Sequence, residues 1–499
     1  MGTLRATSTA SGPIRSVNPA TGELLGEVPD QGVAEVRVAV EKARAAQSAF
    51  AGLGLRRRGE ALLGLRDAIL RRADDLCDLL ARENGKTRVE ALTMEVTVVA
   101  DLIHYFGRRL HKLLAPEPIE LHLLKNRASY LHYVPRGVVG VIAPWNFPFG
   151  IPMGEVAMAM LAGNGVVLKP SEATPLIALL AKEIHDASGL PRDLFQVVTG
   201  RGPTGAALID AGIDQCIFTG STATGRKVAA ACGERLIPCT LELGGKAPAV
   251  VCADADLPRT ARAIAWGGFA NSGQVCVSVE RVYAHESVYD ELVQRLGDEV
   301  RGLRQGDPRS EVDVGVMTWE PQLEVVEARI RQAVEAGARV VSGGARRDGG
   351  SLFFPPTILA DCTQEMDVMR RETFGPVVPV MKVPDEEEAL RLANDSHLGL
   401  MAYVFTRDTQ KGKRLAERLA SGMVMVNDCL IAYGAPETPW GGIKQSGIGR
   451  THSVRGLKDL CEERHVNYDR LTLPRELWWY PYSDRFYRGW LRALRWVMR

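Results

Sequence analysis

At 499 residues the chain is too long for one small hydrophobic core, so two or three domains are expected. Its 46% hydrophobic and 24% charged content is that of a globular protein in water. A net charge of +1, from 61 basic and 60 acidic residues, argues against a nucleic-acid partner.

Nine cysteines are scattered singly, with no C-x-x-C pair. That pattern fits reduced, intracellular thiols, so neither a disulfide framework nor a metal site is expected, and the expected location is cytoplasmic. No apolar run reaches membrane-spanning length. Met1 to Ser16 carry arginine, serine and threonine without the apolar stretch of a secretory signal. A disordered start is expected there, with a short organelle-targeting segment as the alternative.

Residues 17–30 read as two short strands around a turn. From about Val33 to Arg108 the apolar residues recur at helical spacing with few breakers. Residues 118–135 read as a strand pair. Val138-Val-Gly-Val-Ile-Ala143 is a short apolar run ending at Pro144, the mark of a buried parallel strand. Runs at 166–169, 195–198, 216–219 and 249–251 repeat it, with helical stretches between most of them. Strands alternating with helices predict a doubly wound α/β sheet. A second set of strands at 281–284, 338–341, 357–359, 376–380 and 423–427, with a helix over about 289–305, predicts a second α/β domain.

Two segments carry the strongest chemistry. Cys276 ends Asn271-Ser-Gly-Gln-Val-Cys276, and Glu242 stands in Thr240-Leu-Glu-Leu-Gly-Gly-Lys246. A deprotonated cysteine is the best protein nucleophile. A carboxylate among apolar neighbours is raised toward neutrality and can act as a general base. Taken singly, a buried cysteine is more often structural, and Glu242 is equally a strand-end residue.

Strand-end loops in α/β sheets bind ligands. Pro144-Trp-Asn-Phe-Pro148 offers Asn146 as a donor to a developing oxyanion, or as a plain turn residue. Lys169-Pro-Ser-Glu172 suits ribose hydroxyls, or is a solvated charged turn. Phe218-Thr-Gly-Ser-Thr-Ala-Thr-Gly225 runs from strand into helix and suits a phosphate, although it is not G-x-G-x-x-G. Glu372-Thr-Phe-Gly-Pro376 pairs a carboxylate for a sugar with an aromatic for a flat ring, and Trp440 to Arg450 is a glycine-rich loop.

In order and content these segments resemble the aldehyde dehydrogenase superfamily, over roughly residues 17–470. The resemblance implies an NAD(P)-dependent enzyme that oxidises an aldehyde to its acid. It implies a Rossmann-like dinucleotide-binding domain over 1–116 and 136–244 and a second α/β catalytic domain over 245–445. A small β oligomerisation element over 117–135 and 460–470 implies a homodimer or homotetramer.

Residue by residue, Cys276 matches the nucleophile and Glu242 the base that activates water against the thioester. Asn146, with the Cys276 backbone N–H, matches the oxyanion hole. Lys169 and Glu172 match groups on the adenosine ribose, and Gly220 and Ser221 the pyrophosphate turn. Glu372 matches the ligand of the nicotinamide ribose. Phe374 matches the ring beside the nicotinamide, and Trp145 is counted with the cofactor residues. The carboxylate of Glu172 favours NAD, with NADP as the alternative.

Phe147, Gly150, Gly154, Ala270, Val275 and Val277 match a substrate tunnel. An arginine for a short carboxylated substrate is often found where this chain has Gly154. The small residues therefore predict a roomy, uncharged tunnel and an apolar or bulky aldehyde. The rival readings are a semialdehyde dehydrogenase, for example for succinate semialdehyde, and a catalytically silent binding member.

Residues 471–499 continue past the resemblance. Four of the eight tryptophans lie in the last 22 residues. Phe486, Trp490, Leu494 and Val497 fall on one helical face, with Arg488, Arg492, Arg495 and Arg499 opposite. Such a helix suits a membrane surface, or packs on its own subunit or on a dimer partner.

Overall fold

A computed structural model describes residues 12–346, 352–476 and 478–498. Of the disordered start expected over Met1 to Ser16, the part before residue 12 lies outside those residues, as does Arg499 of the tail. The expectation fails at its end, where Ile14–Val17 is a strand paired antiparallel with Leu24–Val28 and Ile14 and Ser16 are buried. The described residues form two compact units, one drawn from 12–114 and 134–462, the other from 115–133 and 463–498.

The first unit holds two α/β sheets. One orders its strands Gly447–Ile448, Cys239–Glu242, Gln215–Thr219, Val138–Ile142, Gly165–Lys169, Phe195–Val197. All neighbours are parallel except Gly447–Ile448, which runs against Cys239–Glu242. Val138–Ile142 is buried at every position, which explains its unbroken apolar run. From it the chain winds first to one side, then crosses back to Gln215–Thr219 on the other. The order reverses there, the place where open α/β sheets bind ligands. Ile142 pairs with Lys169 and Phe218, and Thr219 pairs with Glu242. That register sets all the motif-bearing carboxyl ends along one edge.

The other sheet orders Arg339–Ser342, Thr357–Ala360, Val377–Val383, Val279–His285, Ala247–Val251, Met401–Phe405, Met423–Val426. It is parallel apart from Arg339–Ser342 against Thr357–Ala360. The sequence pattern names no strand at Met401–Phe405, yet that strand is wholly buried beside Ala247–Val251.

The long helical region is broken into Val33–Ala51, Gly54–Arg71, Ala73–Glu83 and a run from Arg88 to Leu113. That last run starts on a Thr87–Glu90 capping box and widens into a π-helical stretch at Ala91–Val96. Such a bulge re-aims successive side chains and is frequent at functional sites.

In the second unit the strands order Cys461–Asp469, Arg127–Pro135, Glu117–Pro118. Arg127 pairs with Asp469 and with the buried Glu476, at 3.6 Å for the latter. A helix, Asp484–Val497, closes the chain, capped by Ser483.

Candidate active site

Two cavities of the first unit meet the motif residues. A cleft of about 730 Å³ runs along the carboxyl edge of the first sheet. Trp145, Asn146, Lys169, Glu172, Gly220, Ser221, Glu242, Glu372 and Phe374 all line it. A tunnel of about 420 Å³ is lined by Cys276 together with Phe147, Val275 and Val277.

The cleft has the features a dinucleotide needs. Ser221 caps the 13-residue helix Thr222–Glu234 by accepting from the Thr224 N–H, and the N-terminus of such a helix, bordering the cleft here, is suited to an anion. Lys169 Nζ stands 3.6 Å from Glu172, a cation and a carboxylate side by side. Glu372 accepts a hydrogen bond from the Gly245 N–H at 2.9 Å. Beneath it Lys246 and Glu280 form a buried ion pair at 2.6 Å, and Glu280 also accepts from the Thr373 and Phe374 N–H groups. Phe374 is held at φ 52° and meets Trp145 edge-on at 5.4 Å.

Cys276 stands at the end of a tight turn. Asn271, Ser272 and Gly273 take φ values of 50°, 55° and 70° in succession. A Cβ at Gly273 would lie 2.2 Å from the Gly375 carbonyl, so only glycine fits there. Asn146 is buried, and its Nδ2 donates to the Gln274 carbonyl at 2.9 Å, which ties it to the cysteine loop. The Asn146 carbonyl in turn accepts from Lys86 Nζ and Asn271 Nδ2, each at 2.9 Å.

The electrostatics hold protons on both candidate reacting groups. Burial, with help from Glu242 and Glu372, pushes the Cys276 thiol up to about 12. Burial, then repulsion from Glu155, raises Glu242 well above the ordinary carboxylate value, and Arg450 opposes this. Neither Glu242 oxygen has a hydrogen-bond partner among the described residues. A buried, unpaired carboxyl is costly to keep, and it is suited to taking up a proton.

Three of the expected tunnel residues lie elsewhere. A Cβ at Gly150 would press on the Glu95 backbone at 3.2 Å, so Gly150 is small for helix packing. Gly154 faces the Tyr433 hydroxyl, Leu102 and His452, and borders a separate small cavity. Ala270 is buried in the hydrophobic core.

The walls the sequence reading missed include Met94, Val98, Ile151, Trp266, Tyr433 and Trp440. Met94 comes from the π-helical stretch, which also sends Glu95 to a buried 2.5 Å ion pair with Lys86. Glu95 accepts the Phe149 and Gly150 N–H groups, and Lys86 stands 3.9 Å over the Phe147 ring. Glu155 was also missed. It is the one charge in the fully buried helix Gly150–Ala162, a signal the sequence does carry. Its Oε1 accepts from Thr219 at 3.2 Å.

The comparisons with known proteins agree with this geometry. The sequence pattern of the Aldehyde dehydrogenase family matches residues 6–466. The chain is 40% identical over 479 residues to the 4,4'-diapolycopene aldehyde oxidase of Methylomonas sp, covering 95% of this chain and 89% of that one. It is 38% identical over 458 residues to a Mycobacterium ulcerans (strain Agy99) protein provisionally named a succinate-semialdehyde dehydrogenase [NADP(+)], covering 91% and 88%. Among solved structures, lactaldehyde dehydrogenase from Escherichia coli superposes with a TM-score of 0.88 at 35% identity, covering 93% of this chain and 97% of that one. An NAD+ complex of an aldehyde dehydrogenase from Bacillus cereus does so with 0.88 at 32% identity, covering 92% and 94%. The chain belongs to the aldehyde dehydrogenase family and oxidises an aldehyde with NAD(P) as cofactor.

Proposed function

We propose that the substrate is an apolar aldehyde and that the reaction runs through a covalent thioester on Cys276. The observation that carries the substrate class is the tunnel: no lysine, arginine or histidine lines it among the described residues, while Phe147, Trp266, Tyr433 and Trp440 do. A carboxylated substrate would bury its charge there without a partner. The name of the Methylomonas relative, an oxidase of a diapolycopene aldehyde, supports the same class. The semialdehyde reading draws on the name of the mycobacterial relative and lacks a cation in the tunnel.

In the proposed sequence Cys276 gives its proton to solvent water and the Sγ thiolate adds to the carbonyl carbon. Asn146 Nδ2 and the Cys276 N–H receive the oxyanion. A nicotinamide held by Glu372, Phe374 and Trp145 would supply the oxidation, accepting hydride from that carbon and leaving a thioester on Cys276. Glu242, having released its own proton to solvent, takes one from water; the hydroxyl adds to the thioester, the C–S bond breaks, the acid leaves, and the Cys276 thiolate takes the proton back from Glu242. Lys169 and Glu172 are assigned to the adenosine ribose, Gly220 and Ser221 to the pyrophosphate, and Glu372, Phe374 and Trp145 to the nicotinamide end. The Glu172 carboxylate, repelling a 2′-phosphate, supports a preference for NAD over NADP.

Three further parts belong to the reading. The nine cysteines are all unbridged, which supports a reducing, cytoplasmic compartment. The three-stranded sheet of the second unit supports a homodimer or a dimer of dimers. The exposed tail helix supports contact with a membrane surface.

A substrate panel tests the proposal. Each buried methylene contributes about 0.8 kcal/mol, so kcat/KM of linear aldehydes should rise by about fourfold per carbon until the tunnel is filled. The panel is run with NAD and with NADP, and NAD should give the higher efficiency. Succinate semialdehyde outperforming a medium-chain aliphatic aldehyde would overturn the apolar reading.

A further inference from the structure

The last 30 residues stand apart from the rest in charge. Residues 470–499 hold seven arginines against two acids, in a chain whose net charge is +1. One of the acids, Glu476, is buried and paired with Arg127. The other, Asp484, sits in the first turn of the Asp484–Val497 helix, where it complements the helix dipole.

That helix spans about 21 Å and buries none of its residues. Its two faces are divided apart from Trp496, which falls on the arginine side and is exposed. Phe486, Trp490, Leu494 and Val497 fall on one side, with Phe486 and Trp490 stacked at 5.9 Å. Arg485, Arg488, Arg492 and Arg495 share the other. Trp490 is 50% exposed and Leu494 45%, so the apolar face meets solvent rather than protein. Just before the helix, Trp478, Trp479, Tyr480 and Tyr482 are also exposed.

We propose that this segment docks the enzyme on the surface of an anionic lipid bilayer. The helix lies in the plane of the interface, with its apolar face toward the acyl boundary and its arginines on lipid phosphates. The proposal deepens the membrane-contact part of the reading above and does not depend on which aldehyde is oxidised.

Three features select this occupant. Tryptophan and tyrosine, apolar in body and polar at the tip, concentrate at lipid headgroup level. A row of arginines gives charge complementarity to anionic phosphate, and their aliphatic stems let the guanidinium groups reach past the apolar boundary. A second copy of the chain would cover the apolar face but leave the arginines and the tyrosine-tryptophan stretch unmatched, whereas protein interfaces deplete charge at their centre. Among the described residues no helix is long and apolar enough to cross a membrane, so the contact is one of docking rather than spanning.

Co-sedimentation of the whole enzyme with vesicles, without aldehyde or cofactor, tests it. Vesicles of phosphatidylcholine with about one-third phosphatidylglycerol should pellet the enzyme, and pure phosphatidylcholine should pellet at least tenfold less. Binding should weaken as salt shortens the Debye length. Arg488→Glu with Arg492→Glu, and separately Trp490→Ala with Leu494→Ala, should each cut binding at least tenfold. Both variants should keep their turnover of a short soluble aldehyde, which shows that they are folded.

Equal binding to neutral vesicles would overturn the anionic assignment while leaving membrane contact standing. No binding to either, with the apolar-face variant shifting mass by light scattering, would overturn the proposal in favour of a subunit contact. No binding with altered turnover in that variant would overturn it in favour of a cover over the enzyme's own tunnel.

Discussion

Gly245 is packed against the carbonyl of Cys276: a Cβ added at Gly245 would stand 2.3 Å from that oxygen. Its neighbour Gly244 meets Glu372 as closely, with a Cβ position 2.5 Å from Oε2. The glycine pair after Glu242 is thus what allows three segments to converge, one bearing the candidate base, one the candidate nucleophile and one the carboxylate proposed for the ribose.

Gly245→Ala should therefore displace the Cys276 loop without emptying the core. Overpacking of this kind costs about 1–3 kcal/mol of stability. Turnover should fall by at least about tenfold, because small misplacements of a reacting group carry large rate penalties. Steady-state kinetics beside a thermal melt checks this, and an alanine variant with unchanged kcat would show that the contact does not position the cysteine.

The thiol prediction concerns pH. With Cys276 pushed up to about 12 by burial and the nearby carboxylates, the resting enzyme holds it as thiol across the neutral range. Alkylation of Cys276 by iodoacetamide should keep accelerating as pH rises through about 9, without a plateau near the ordinary thiol value. Peptide mapping of the modified cysteine against pH gives the profile. A plateau by neutral pH would mean that the thiol is ionised in the resting site.

A third prediction rests on Glu155. Burial raises its carboxyl from 4.5 to about 8, and the Thr219 hydroxyl opposes this. Around it stand Glu242, which carries like charge when ionised, and Arg450 and His452, which border the same small cavity. Burial lowers His452 to about 4, so it is neutral at pH 7. The folded chain keeps a proton on Glu155 that the unfolded chain releases above its ordinary value. The stability this confers is full at low pH and is lost as pH rises through about 8. Glu155→Gln should flatten the fall in melting temperature between about pH 4.5 and pH 8. Parallel curves for the two proteins would contradict the raised carboxyl.

Much of the fold is legible in the sequence because parallel strands are buried on both faces. Val138–Ile142 and Gly165–Lys169 stand out as apolar runs, and the motifs follow at their carboxyl ends. Met401–Phe405 carries the same kind of run but follows a glycine and a two-residue strand, Leu398–Gly399, so its start is blurred. At the site, Cys276, Glu242, Asn146 and the residues proposed for the cofactor are marked by glycine, proline and charge in apolar surroundings, and all of them line the cleft or the tunnel. The tunnel walls carry no such mark. Trp266 and Tyr433 reach Cys276 only through tertiary packing, and smallness at Gly150 reflects the close approach of Glu95. Local sequence shows which residues are small, and it does not show which neighbour requires them to be.

The central claim is a thioester between the oxidised substrate and Cys276, released by Glu242. Glu242→Gln should lower steady-state turnover by about two orders of magnitude or more, since it removes the base from hydrolysis and leaves hydride transfer in place. The measurement is acid quenching of that variant during turnover with NAD+ and a medium-chain aldehyde, followed by intact-mass and peptide analysis. The expected result is one acyl group per chain on the Cys276 peptide, formed with one equivalent of NADH. NADH produced with no adduct on Cys276, or with the acyl group on another residue, would contradict the account.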